Sequence, residues 1–119
     1  LIADECLIHE NYKEKLLKAS DVSTMVTGKS MGDAVRCLKT PFSKKFFKME
    51  YDPAVPKEEV LDFGKGAMRK AVFDGDNMGS YLAGEVAGMI HKKESAKDIV
   101  EDIMGGAEKL LKNAPALVK

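Results

Sequence analysis

The stretch "GSYLAGEVAGMI", residues 79–90, constrains the fold more than any other part of the sequence. The apolar residues that recur there at helical spacing are Leu82, Val86, Met89 and Ile90. This spacing predicts a helix. Gly84 and Gly88 interrupt it, although a glycine in a helix interior costs about 1 kcal/mol relative to alanine. Small residues recur every four positions and line one side of the predicted helix. The pattern therefore indicates that another backbone or a ligand packs closely against that side.

Size and composition indicate one globular domain with a modest core. The chain has 119 residues, of which 45% are hydrophobic and 32% are charged, a composition unlike that of disordered chains. The 19 basic and 19 acidic residues balance, so charge gives no reason to expect a nucleic-acid partner. Two cysteines are too few for a disulfide framework and favour a cytoplasmic protein. No apolar run approaches the roughly 18 residues that a membrane span needs.

The sequence pattern predicts a mainly helical chain with a short strand pair. We predict helices over residues 9–18, from Pro41, from Pro56 to about Asp74, over residues 79–90, and from Ser95 to before Pro115. Ser95 and Asp98 have the spacing of a capping box. Residues 22–27 alternate and are rich in β-branched side chains, which predicts a strand. Residues 34–38 would be a second strand that pairs with it across the turn at Gly28–Ser30.

Two short motifs invite a chemical interpretation that their spacing does not support. "VTGKS" lacks the first glycine of a phosphate-binding loop, because Ser23 stands at that position, so we predict a solvated turn. Cys6 and His9 have a C-x-x-H spacing, but Cys37 and His91 are scattered along the chain. Since a zinc site needs four convergent ligands, we predict no metal site.

The start of the predicted glycine-lined helix leaves two interpretations open. Gly79 and Ser80 would present backbone N–H groups, the positive end of the helix dipole and a hydroxyl to a ligand. Close packing of another helix against the small residues explains the same pattern, and spacing alone favours it.

Several segments together resemble one flavoprotein family. They are "NYKEKLLKASDVSTMVTG", "VRCLKTPFSKKFFKME", "GKGAMRKAVFDGD", "GSYLAGEVAGMI" and "SAKDIVEDIMGGAEKLL". In this order they resemble the C-terminal part of the FMN-dependent enoyl-acyl-carrier-protein reductase II and nitronate monooxygenase (2-nitropropane dioxygenase) family. The resemblance implies that the chain is the C-terminal, post-barrel segment of a TIM-barrel (α/β) flavoprotein. Barrel active sites lie at the face that such a segment would cover.

The resemblance also implies an organisation along the chain. Residues 1–4 would be the end of, or exit from, the last barrel strand, which agrees with an apolar pair at the start and no initiator methionine. Residues 5–50 would form a substrate-side region that contains the strand pair. Residues 56–113 would form a helical region, and all of residues 1–119 would be a single segment.

The site residues that the resemblance implies lie in the glycine-rich stretch. The family pattern "GS-x-x-AGQ" matches Gly79, Ser80, Ala83 and Gly84, and Tyr81 stands at a position near the substrate pocket. Ser80 would hydrogen-bond a substrate oxygen or a flavin edge and position it. The resemblance places no catalytic residue in this chain.

The sequence departs from the family pattern at two charged positions. Glu85 replaces the usual glutamine, and "GDAVR" replaces a common "GHPVR", so that Asp33 stands in place of a histidine. Each change puts a carboxylate where the family has a neutral group.

The resemblance implies an activity for the complete protein. Hydride equivalents would pass from NAD(P)H through FMN to an enoyl thioester, or to oxygen in nitronate oxidation. FMN would be bound mostly by residues outside this chain. The chain alone would be inactive. The implied partners are an N-terminal barrel portion, a small-molecule or acyl-thioester substrate and a second copy in a homodimer. The alternative function is a free-standing helical protein-interaction module without catalytic activity, with the glycine-lined helix as its docking groove.

Overall fold

The computed structural model describes residues 1–117 and divides them into two compact units. The central unit is Ile8–His91. The terminal unit combines Leu1–Leu7 with the described part of the stretch that begins at Lys92.

The central unit contains four short α-helices and one strand pair with the connections between them. In chain order its elements are α1 (Glu10–Leu17), β1 (Thr24–Thr27), β2 (Val35–Leu38), α2 (Pro41–Glu50), α3 (Lys57–Gly64) and α4 (Ala67–Arg69). The last of these continues into a π-helical turn over Lys70–Asp74, and 3₁₀ turns occupy Lys29–Met31 and Glu85–Met89. Both long-range strand pairing and the helix packing therefore lie within residues 8–91.

The first two helices begin where the sequence predicts, because local side chains satisfy their free backbone N–H groups. His9 Nδ1 accepts a hydrogen bond from the backbone N–H of Asn11 at 3.1 Å. Thr40 and Ser43 form a reciprocal capping box, with Thr40 Oγ1 accepting from Ser43 N at 3.2 Å and Ser43 Oγ accepting from Thr40 N at 2.8 Å. Pro41 occupies the first helical position, where its missing N–H costs nothing.

The predicted strand pair is confirmed, with β1 and β2 antiparallel and Met25 opposite Cys37. Each strand starts one or two residues later than the alternation predicts. The connecting loop contains Gly28 and Gly32 in left-handed conformations, at φ of 79° and 80°. Glycine adopts these angles without the steric penalty that a side chain would bring.

The predicted helix over residues 79–90 is wrong. Residues 79–84 are extended, and only Glu85–Met89 form a 3₁₀ turn. The extended segment runs along the second edge of β2, where Leu38 N donates to Tyr81 O at 2.8 Å and Ala83 N donates to Arg36 O at 3.2 Å. An edge strand needs partners for its backbone groups, and a glycine-rich segment has little helical propensity to oppose that pairing.

The single helix predicted after Pro56 is also wrong, because it divides in two. The helix α3 ends at Gly64, and α4 begins after Gly66, whose φ is 72°. A left-handed glycine ends a helix readily, and the helical spacing of the apolar residues on either side does not show this break. The predicted end near Asp74 is confirmed, with Gly75 at φ 61° after the π-helical turn.

The core of the central unit packs two aromatic groups. The rings of Tyr12 and Tyr81 lie 4.8 Å apart, and those of Phe42 and Phe63 stack at 5.2 Å. The buried apolar residues are Tyr12, Leu16, Cys37, Leu38, Phe42, Val60, Ala67, Ala71, Tyr81, Ala83 and Ala87.

The terminal unit consists of one long helix and the first residues of the chain. The helix α5 (Ala96–Asn113) begins at Ser95, whose Oγ accepts from Asp98 N at 3.1 Å, as the capping box predicts. Glu5 Oε2 also accepts from Ala96 N at 2.9 Å. A 3₁₀ turn, Ala114–Leu117, follows. No helix in residues 1–117 is long and apolar enough to cross a membrane.

Candidate functional site

A cavity of about 360 Å³ opens in the central unit. Its walls come from the β1–β2 loop, from α2, from the junction of α3 and α4, and from the extended segment over residues 79–84. The apolar residues with long side chains that line it are Met31, Val35, Phe42, Phe46, Leu61, Met68 and Leu82. This volume and lining are typical of a pocket that encloses the apolar part of a small molecule.

The extended conformation decides which residues of the glycine-rich stretch reach the cavity. Successive side chains of an extended segment point to opposite sides. Ser80 and Leu82 accordingly line the cavity. Tyr81 lies on the other side, fully buried against Tyr12, and its hydroxyl donates to Asp76 O at 2.9 Å. In a helix, neighbouring side chains would not alternate between two opposite sides in this way.

Of the five predicted site residues, the structure brings Ser80 alone to the cavity. Its backbone N–H donates to Ala67 O at 2.9 Å, and no group in residues 1–117 hydrogen-bonds its half-buried hydroxyl. Tyr81 and Ala83 are buried away from the cavity lining. Gly79 packs against Ala71. Gly84 is exposed and has open space where a Cβ would be.

The polar groups around the cavity carry little free positive charge. Asp33 is exposed and contributes to the wall. Lys65 also lines it, but its ammonium group pairs with Asp62 at 2.5 Å. The other carboxylate that departs from the family pattern, Glu85, pairs with Arg36 at 2.7 Å and is not among the lining residues. Only the departure at position 33 therefore changes the charge of the cavity wall.

The "VTGKS" turn is occupied by a carboxylate of the same chain. Glu50 Oε2 accepts from Gly28 N at 2.8 Å, and Glu50 Oε1 accepts from Ser30 N at 2.7 Å. The Ser30 hydroxyl also donates to the backbone oxygen of Glu50 at 3.4 Å. Two of the N–H groups that a phosphate would need are thus already used, which agrees with the prediction of a turn.

Burial keeps the core hydroxyl and thiol groups protonated. Desolvation raises the pKa of Tyr12 to about 12, although its bond to a backbone oxygen acts in the opposite direction. The Tyr12 hydroxyl donates to Leu82 O at 2.7 Å, next to the cavity segment. Burial also raises the pKa of Tyr81 and of the Cys37 thiol. The Tyr12 and Tyr81 hydroxyls thus hold the extended segment in place as neutral groups.

The structure does not assemble a metal centre from the part of the chain that it describes. No group of three or more His, Cys, Asp or Glu side chains in residues 1–117 is placed to hold a metal ion. Cys6 and Cys37 are both free thiols.

The family model for nitronate monooxygenase matches residues 1–106. The chain belongs to the nitronate monooxygenase family. This is an oxidoreductase family, and its match spans both units of the structure.

Two solved structures resemble this member of the family closely. FabK from Thermotoga maritima has 34% sequence identity and a TM-score of 0.86, with 93% of this chain covered and 35% of that one. The M276A mutant of FabK from the same organism has 30% identity and a TM-score of 0.78, with coverage of 98% and 33%. The chain thus spans about a third of the length of these two proteins. No curated protein matches the sequence.

Sequence reasoning missed two contributors to the cavity. Met31 lies in the loop, and Glu50 holds that loop from the end of α2. A glycine-rich turn gives no sign of which distant carboxylate will accept its N–H groups. Phe42 and Phe46 stand four residues apart, as on one face of a helix, but that spacing does not separate a core residue from a cavity wall.

Proposed function

We propose that this chain supplies the substrate-side wall of an FMN-dependent oxidoreductase and covers the mouth of its barrel. In the complete protein, NAD(P)H would be the reductant. Membership of the nitronate monooxygenase family and similarity to FabK support an oxidoreductase. The observation that carries the proposal is the Ser80 side chain at the wall of a largely apolar cavity.

Ser80 is suited to hold one polar atom of a substrate or of the flavin. A hydroxyl group both donates and accepts hydrogen bonds, and no group of the described chain uses the one on Ser80. The surrounding apolar side chains lower the local polarity, which strengthens a hydrogen bond made there. Ser80 would therefore orient the reacting group without forming a bond to it.

The cavity lining fits an uncharged part of FMN or of a substrate, but it does not fit the FMN phosphate. Lys65 is paired with Asp62, and Gly28 and Ser30 donate their N–H groups to Glu50. We infer that residues outside this chain hold the phosphate. Hydride transfer is the chemistry that bound FMN supplies, while this chain binds and orients the acceptor.

The cavity favours an enoyl thioester, which would accept the hydride, over a nitronate, which would instead be oxidised. Phe46, Leu61 and Met68 offer apolar surface to an acyl chain. A nitronate is an anion, and the carboxylate of Asp33 would repel it. The similarity to FabK points in the same direction.

The alternative function, a free-standing interaction module, depended on a helix that the structure does not contain in the part of the chain where it was predicted. Its docking groove was the glycine-lined helix, and residues 79–84 are extended. Small residues at Gly79 and Gly88 do allow close approach, but the neighbours are Ala71 and the Ser20–Asp21 turn of this chain.

The test compares Ser80→Ala with Ser20→Ala in the complete protein. Ser20 is exposed in the α1–β1 connection and does not line the cavity. We measure NADH and NADPH consumption with the N-acetylcysteamine thioester of trans-2-decenoic acid, and separately the oxidation of propyl-2-nitronate. Loss of one neutral hydrogen bond predicts a kcat/KM for the thioester that is lower by about 3- to 10-fold in Ser80→Ala. Ser20→Ala should match the unsubstituted protein. An unchanged kcat/KM in Ser80→Ala would remove the role assigned to this hydroxyl.

A further inference from the structure

We propose that Glu50 is a positioning residue for the cavity. Its carboxylate fixes the β1–β2 loop, residues 28–33, against the end of α2, and this loop forms one wall of the cavity. The part of this inference that concerns substrate binding rests on the proposed function. The part that concerns the loop does not.

Glu50 contacts two backbone N–H groups in the first turn of the loop. Its two carboxylate oxygens accept from Gly28 N at 2.8 Å and from Ser30 N at 2.7 Å. Hydrogen bonds with an ionised acceptor are stronger than neutral ones. Glu50 is half-buried, so the pair is only partly exposed to competing water. One side chain therefore determines the position of two backbone groups of the loop.

The loop needs such an anchor because its own sequence makes it permissive. Gly28 and Gly32 both adopt left-handed conformations, and glycine loses more conformational entropy on ordering than other residues. Inside the loop, Met31 N and Asp33 N both donate to Gly28 O, at 3.2 and 3.1 Å. These bonds close the loop on itself, but they do not fix it relative to α2.

The anchor connects two walls of the same cavity. Gly28, Met31 and Asp33 line one side, and Phe42 and Phe46 of α2 line another. Glu50 is the last residue of α2. The distance between Met31 and the phenylalanine side chains is consequently set by the bonds that Glu50 makes. Loss of these bonds would displace Met31 without removing any side chain from the cavity.

The first experiment measures the loop directly and does not depend on activity. Glu50→Gln keeps the length of the side chain, but it replaces one acceptor by an NH₂ group that faces a backbone N–H. Hydrogen exchange of the complete protein, read by mass spectrometry, should show amides in residues 28–33 exchanging at least about tenfold faster, as loss of a charge-assisted bond predicts. Glu58→Gln removes a charge from the exposed start of α3 and should leave this exchange unchanged. Unchanged exchange in Glu50→Gln would overturn the proposal.

A second variant covers the case in which Glu50→Gln fails to fold. Glu50→Asp keeps the carboxylate but shortens the side chain by one methylene group. It should retain part of the anchoring, so that loop exchange lies between that of the unsubstituted protein and full loss of protection. Exchange equal to that of the unsubstituted protein would show that reach to both N–H groups is unimportant, contrary to the proposal.

The second experiment tests whether the anchor acts through the cavity wall. With the decenoyl thioester, Glu50→Gln should raise KM about tenfold and change kcat less than about twofold, since positioning affects binding of the apolar chain. In a Met31→Ala background, where the positioned side chain is absent, the same substitution should change KM less than about threefold. Equal effects in both backgrounds would show that Glu50 does not act through Met31. A complete protein that turns over no thioester would contradict the proposed function, and the exchange experiment would still decide whether Glu50 holds the loop.

Discussion

Gly79 lies where the extended segment passes closest to the backbone of the π-helical turn. A Cβ at this position would lie 2.5 Å from Ala71 N, 2.7 Å from Ala71 Cα and 2.8 Å from Ala71 Cβ. All three are shorter than an ordinary contact, and two of the atoms belong to the backbone. The φ of Gly79 is not in the left-handed region, so the penalty for Gly79→Ala is steric. Overpacking of this kind costs typically about 1–3 kcal/mol.

Gly84 provides a matched control on the same segment. A Cβ there would meet nothing within 4 Å, and its φ of −72° suits alanine. Gly84→Ala should therefore be neutral or stabilising by about 0.4–1 kcal/mol, because alanine restricts the unfolded chain. The two substitutions make the same chemical change, but only Gly79→Ala is expected to destabilise the protein.

Hydrogen exchange of the complete protein reports both effects at the segment itself. The amides to follow are Ser80 N, which donates to Ala67 O, and Ala83 N, which donates to Arg36 O. A loss of 1–3 kcal/mol should accelerate their exchange by roughly 5- to 150-fold in Gly79→Ala, whereas Gly84→Ala should slow it or leave it unchanged. If both variants exchange alike, the close approach to Ala71 does not hold the segment in place.

Two further predictions concern buried titratable groups. Folding raises the pKa of Tyr12 from about 10 to about 12, so its contribution to stability is complete below pH 10 and is lost as pH rises towards 12. The free energy of unfolding of Tyr12→Phe should lack this alkaline pH dependence. An identical pH dependence in both proteins would contradict the assignment. The Cys37 thiol is fully buried with a raised pKa, so brief iodoacetamide treatment at pH 8 should alkylate the partly exposed Cys6 and leave Cys37 unmodified until denaturant is added. Peptide mass spectrometry distinguishes the two sites, and early labelling of Cys37 would refute the burial.

Local rules predicted the elements whose ends are specified by nearby residues. His9 and Thr40 cap helices whose first residues follow them directly, and Ser95 does the same for α5. The strand pair was visible in its alternation and its glycine turn. In each case the residues that satisfy the backbone groups lie within a few positions of them.

The glycine-rich stretch shows why the rest could not be predicted in this way. Its apolar residues fit a helical period, but the backbone of β2 both donates and accepts hydrogen bonds that only an extended segment can form. Pairing with β2 is a tertiary interaction, and the spacing of the apolar residues does not reveal it. Ser80, which the family resemblance singled out, lies at the cavity wall, whereas the helix predicted around it misjudged the direction of Tyr81. The Glu50 contacts join residues about twenty positions apart, beyond the range of any local pattern.

Along residues 80–83, side chains that line the cavity alternate with side chains that are buried away from it. Changes at Ser80 and Leu82 alter the cavity lining, whereas changes at Tyr81 disturb its packing against Tyr12 and changes at Ala83 disturb a buried position. A library randomised at the first pair alone would sample new selectivity on an intact scaffold, and one randomised at the second pair would mostly return unfolded chains. Diversification of this segment should therefore skip every other position.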